Sequence, residues 1–170
     1  LIDRLLYDDE YTIEFARNWA TLWGNLLVGR GGGNERNSLT NREGLQKYLR
    51  DAFARNRSYD QMVNDLLVAT GNNKPGLDDF NGAVNFLTMK LADKATQATA
   101  DVSRLFLGKQ VQCTQCHDHP FNDWRQEQFW GLNSFFRQTV ALRRFDDVDG
   151  MVSHVELADQ DFGGEGNTPE

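Results

Sequence analysis

Residues 111–124 read VQCTQCHDHPFNDW. Both cysteines of the 170-residue chain, Cys113 and Cys116, fall here in C-x-x-C spacing, with His117 directly after them and His119 two positions on. Cys-x-x-Cys-His is the signature for covalent attachment of a c-type haem. The order has a chemical reason. Two thiols three positions apart can add to both vinyl groups along one porphyrin edge, and the adjoining imidazole then serves the iron as its proximal ligand. One turn of helix supplies the spacing. The stretch therefore sets the expected fold class: an all-α, compact multi-helix domain built around one haem c per chain, with long polar loops and an irregular acidic C-terminal tail.

Other uses of the same residues carry less weight. A thioredoxin-like dithiol wants its C-x-x-C pair at the start of a helix that follows a strand, and no strand-like alternation precedes Cys113. A zinc site would draw on Cys113, Cys116, His117 and His119, a cramped set for a tetrahedron, with His154 as the one remote addition. A Cys113–Cys116 disulfide would close too small a loop to stabilise much.

A formal net charge of -7 argues against nucleic acid, whose binders carry a basic stripe. It favours basic redox partners instead. No apolar run reaches the length of a membrane span, and no leader-like pattern opens the sequence. The first residues, LIDRLLYDDE, read as the inside of a helix, so the chain is expected to be an excerpt of a longer polypeptide.

Helical periodicity covers most of the rest. DDEYTIEFARNWATLWGNLLVG places Tyr11, Phe15, Trp19, Leu22, Trp23, Leu26 and Leu27 on one face up to Gly29. That aromatic stripe reads as core before it reads as a cofactor wall. The glycine-rich GRGGGNERNS lacks the strand and Gly-Lys-Ser/Thr ending of a phosphate loop and reads as a surface loop. Thr40 with Glu43 suggests a capping box opening a helix to about Asn56. A further helix follows from Tyr59 to Ala69, then a polar loop, a short apolar patch containing Met89, and a helix from about Asp93 to Gly108. DWRQEQFWGLNSFFRQTV reads as a last helix, its Trp124, Phe129, Leu132, Phe135 and Phe136 suited to shield a haem. The expected division is a helical haem c-binding domain at 1–142 and an acidic, glycine-rich tail, or the start of a following region, at 143–170. Asp147, Asp149 and Gly150 only faintly echo a calcium loop.

VSRLFLGKQVQCTQCHDHPFNDWRQEQFWGLNSFF resembles the signature of the planctomycete-type cytochrome c-associated family, secreted bacterial domains of otherwise unassigned function with a CxxCHxHPF core. LIDRLLYDDEYTIEFARNWATLW and NREGLQKYLRDAFARNRSYDQMVNDLLVATG are similar to its opening helices. The resemblance implies a helical, extracytoplasmic module, in the periplasm, secreted or at the cell surface. Cys113 and Cys116 would be its thioether positions and His117 its proximal ligand. Arg104, Gly108, His119, Pro120, Phe121 and Trp124 match its other pattern positions. It supplies no reaction.

Around the expected haem, His119 and Arg104 are candidates to bond a propionate, and Phe121 and Trp124 to contact the ring. Met89 is the first candidate for the distal iron ligand, His154 the second, with Met62 and Met151 behind them. The function expected is a c-type cytochrome module for extracytoplasmic electron transfer, a carrier before a catalyst, serving redox proteins or fused cytochrome domains and open to assembly into oligomers. The alternatives are a surface-assembly module in which haem is structural, and a zinc-binding module.

Overall fold

A computed structural model describes residues 1–34, 38–147 and 150–160, the side chains of residues 6 and 7 apart. Six α-helices carry the expected periodicity: α1 Ile2–Tyr7, α2 Thr12–Val28, α3 Arg42–Ala54, α4 Tyr59–Val68, α5 Thr96–Phe106 and α6 Gln126–Phe136. Local chemistry sets their ends. Gly29 stops α2 at φ 75°, in the left-handed region that glycine enters without steric cost. The N-cap of α3 is Asn41, whose side chain accepts from Gly44 N at 2.8 Å. Thr40, expected in that role, turns inward to the Asn85 carbonyl instead.

Helices α2 and α3 approach closely because small residues face the seam. Ala16, Ala20, Gly24 and Leu27 are the buried positions of α2, spaced at four, four and three residues along one stripe. The aromatics flank this stripe rather than fill it. Phe15, Trp19 and Trp23 of α2 close around Phe53 of α3 at 6.2–6.5 Å between ring centroids, and Phe15 and Trp19 remain 48% and 41% exposed. The stripe is thus the rim of the core.

A 3-10 segment at Gly82–Phe86, every residue buried, runs through the centre of the domain. Gly82 lies backbone to backbone against Gly44 of α3, where a Cβ would collide with the Gly44 carbonyl. Asn85, wholly buried, accepts from Asn41 N at 2.6 Å and donates to Asn73 O and Gly82 O. One amide thereby satisfies three separate stretches of backbone, which buried peptide groups require. Phe86 meets Phe106 of α5 edge to face at 5.5 Å.

On α3, the Tyr48 hydroxyl donates to Asp65 Oδ2 at 3.0 Å. Burial, and then the Asp65 charge beside it, raise its pKa well above the usual 10.0. The folded chain therefore keeps a proton that the unfolded chain releases near pH 10. Stability from this group is complete below that pH and is lost as the pH rises beyond it. Tyr48→Phe is expected to lessen the fall in urea midpoint between pH 9 and pH 11; an unchanged fall would refute the assignment.

The domain is not all-α. A three-stranded antiparallel sheet, in the order β1-β3-β2, joins β1 Gly71–Asn72, β2 Thr139–Phe145 and β3 Val152–Asp159. It corrects the expected fold class to a mixed helix-and-sheet architecture. The last helix ends at Phe136, and the stretch expected as irregular tail holds β3, which buries Val155 and Leu157 on one face. Leu157 joins the main core with Leu45, Leu49, Leu66, Val84 and Phe86. Residues 161–170 and Asp149, from the expected tail and calcium echo, lie outside the described residues.

Between Leu91 and α5 the backbone turns left-handed at three successive residues, Asp93, Lys94 and Ala95, with φ of 51°, 57° and 58°. Each costs about 1–2 kcal/mol for a residue bearing a Cβ. Buried Asn133 of α6 holds the turn in place, its amide donating to Lys94 O at 2.8 Å and to Thr99 Oγ1 at 3.0 Å.

Candidate functional site

Gly108, at φ 64°, ends α5, and Lys109 N closes back on Ser103 O at 2.9 Å. The chain then enters a 3-10 turn at Gln112–Gln115. Thr114 fixes that turn from inside: 1% exposed, it donates its hydroxyl to Val111 O at 2.6 Å. Cys113 lies within the turn and Cys116 caps it, its N–H donating to Cys113 O at 3.3 Å, and both are free thiols. The turn leans on α6, where Trp130 Nε1 and Gln126 Nε2 donate to Gln115 O at 3.2 and 3.1 Å.

His117 and His119 differ in the nitrogen they leave available. His117 Nδ1 lies 2.6 Å from Asp118 O; a carbonyl only accepts, so Nδ1 carries the proton and Nε2 is left as a bare donor for a metal. His119 Nδ1 accepts from Phe121 N and Asn122 N, both at 3.1 Å. Its proton therefore sits on Nε2, a hydrogen-bond donor suited to an anion and unsuited to ligating iron. His119 N also donates to Trp124 O at 2.8 Å, closing the loop. Asp118 Oδ1 accepts from Gln126 N at 2.9 Å at the start of α6.

Two adjoining cavities meet at His119 and Gln110. One of about 530 Å³ is lined by Asp101, Arg104 and Cys113; the other, about 890 Å³, by Lys109, Phe121 and Trp124. The fold thus gathers Arg104, Cys113, His119, Phe121 and Trp124 around these two cavities, while Cys116 and His117 are exposed and line neither. Arg104 is steadied by Asp101 at 3.0 Å, and Asp101 also binds the buried Lys90 ammonium. Phe121, 89% exposed, presents its ring to solvent.

Met89, Met62 and His154 do not join this group. Met89 faces other cavities and accepts from Ser38 Oγ at 3.4 Å, Met62 is buried in the core, and His154 stands on β3 opposite Arg144. Met151 lies in the connection between β2 and β3. Sequence reading missed Lys109, Gln110, Gln115 and Asp118. No periodicity marks them, since each acts through a loop that doubles back.

Among the described residues, no three histidine, cysteine or acidic side chains come together where a metal ion could be held. Zinc needs such a set, whereas haem brings four ring nitrogens and asks one or two ligands of the protein. The thiols, the bare Nε2 of His117, and the Arg104 and His119 donors answer to vinyls, iron and carboxylates.

Fold and site together define a mixed helix-and-sheet domain that presents a cysteine-histidine turn at its surface. The family model PSCyt2, described as a protein of unknown function (DUF1549), matches residues 1–141, and the chain belongs to that family. No curated protein and no solved structure matches it. Among the described residues no helix is long and apolar enough to cross a membrane.

Proposed function

We propose that this chain is an extracytoplasmic electron-transfer module carrying one haem c, bound through thioethers to Cys113 and Cys116. The observation that carries the reading is the pair of free thiols, one within and one capping a single 3-10 turn, followed directly by an imidazole whose Nδ1 is engaged by a carbonyl and whose Nε2 is left open. Bound haem would supply one-electron chemistry at its iron. His117 Nε2 would ligate the metal, its orientation held by the Asp118 carbonyl, Arg104 would neutralise a carboxylate, and His119 Nε2–H would donate a hydrogen bond to one. The cytochrome association that the sequence resemblance implies belongs to the same reading, as do redox proteins or fused cytochrome domains as partners. Attachment of this kind takes place outside the cytoplasm.

A purely structural haem is the second reading, and the packing disfavours it. The core cluster closes on Leu27, Leu45, Leu49, Leu66, Val84 and Phe86, and none of residues 113–117 belongs to it. A haem held at these exposed residues would be open to exchange with a partner, and the chain's charge of -7 would draw a basic one. The haem-loaded chain should titrate reversibly with one electron, and its electron exchange with a basic redox protein should slow as salt is raised. A haem that cannot be reversibly reduced would defeat the carrier reading while leaving attachment intact.

A further inference from the structure

On the face formed by the sheet, the end of α6 and the left-handed turn at 93–95 lies a separate cavity of about 350 Å³. Leu91, Phe136 and Val140 give it apolar walls, and Lys94, Arg137 and Arg143 line it too, with no carboxylate among its described lining residues. This runs against the trend of an acidic chain. Lys94 and Arg143 form no ion pair with any described residue, as is true of several cations elsewhere on the chain, among them Lys47 and Lys109. Asp159, at the end of β3, is engaged by Thr139 Oγ1 at 3.2 Å.

Cations gathered around low-dielectric walls concentrate a positive potential that an anion relieves. The turn that sets Lys94 here is strained at three consecutive residues, and strain of that kind clusters where a ligand is clamped. The volume falls at the small end of the range for small-molecule pockets, about 300–1,000 Å³. We propose that this cavity binds a small organic anion with an apolar body. Lys94 and Arg143 would hold its charged group, and Leu91, Phe136 and Val140 its body. The proposal does not depend on haem.

The test uses three probes at low ionic strength: 2-naphthoate, its neutral analogue 2-naphthylmethanol, and inorganic phosphate. Naphthoate is expected to bind saturably, to shift backbone amide resonances within 89–95 and 137–143, and to outbind both other probes by about tenfold or more. Lys94→Gln/Arg143→Gln should lose about tenfold for naphthoate and leave the alcohol unaffected. Both side chains are exposed, so the variant should stay folded, and the resonance map of the unaltered chain stands without it. Equal binding of the alcohol would mean apolar adsorption only, and equal binding of phosphate a bare cation cluster. Either result, shifts confined elsewhere, or undiminished naphthoate affinity in the folded double variant would overturn the proposal.

Discussion

Cys113→Ala/Cys116→Ala is expected to abolish covalent haem completely, while its unfolding free energy stays within about 1 kcal/mol of the haem-free parent chain, since changes outside the core are usually small. Cys116 is exposed, Cys113 only partly buried, and neither contributes to the core cluster. The turn itself is held by Thr114 and by the Gln115 carbonyl against α6, none of which the substitutions touch. Haem staining reports the first effect and urea unfolding the second. A double variant that lost cooperative unfolding would contradict the separation of core and site, and would favour the structural reading of the haem.

Phe86→Ala should cost about 3–5 kcal/mol, the range for removing a buried phenylalanine and leaving a cavity. Phe86 is 1% exposed, meets Phe106 edge to face and has the Lys90 ammonium 5.3 Å above its ring. It ties the central 3-10 segment to α5, the helix that leads into the cysteine turn. Set against a total stability of about 5–15 kcal/mol for a domain, that loss removes much of the margin. A shift below about 1 kcal/mol in urea unfolding would show that the segment is not the centre of the core.

The helices were legible because each repeats apolar residues at three and four and ends on a recognisable stop, as with Gly29 and Gly108. The sheet was not. β1 is two residues inside a loop rich in asparagine, and β2, TVALRRF, buries none of its residues, so neither shows an alternation of buried and solvent-facing positions. β3 does alternate, with Val155 and Leu157 inward on either side of Glu156. Its acidic, glycine-rich surroundings obscured that signal. At the site, the expected Arg104, His119, Phe121 and Trp124 fall with Cys113 around two adjoining cavities, whereas Cys116 and His117 line neither. The separate placement of Met89 could not be read locally, because it depends on where the loop at 38 meets the chain at 89.

The most direct test of the account is a haem-stained denaturing gel of the chain exported through a haem-attaching pathway. The account predicts a stained band at the mass of the chain, with both thiols blocked to alkylation. An unstained band whose Cys113 and Cys116 alkylate freely would contradict it.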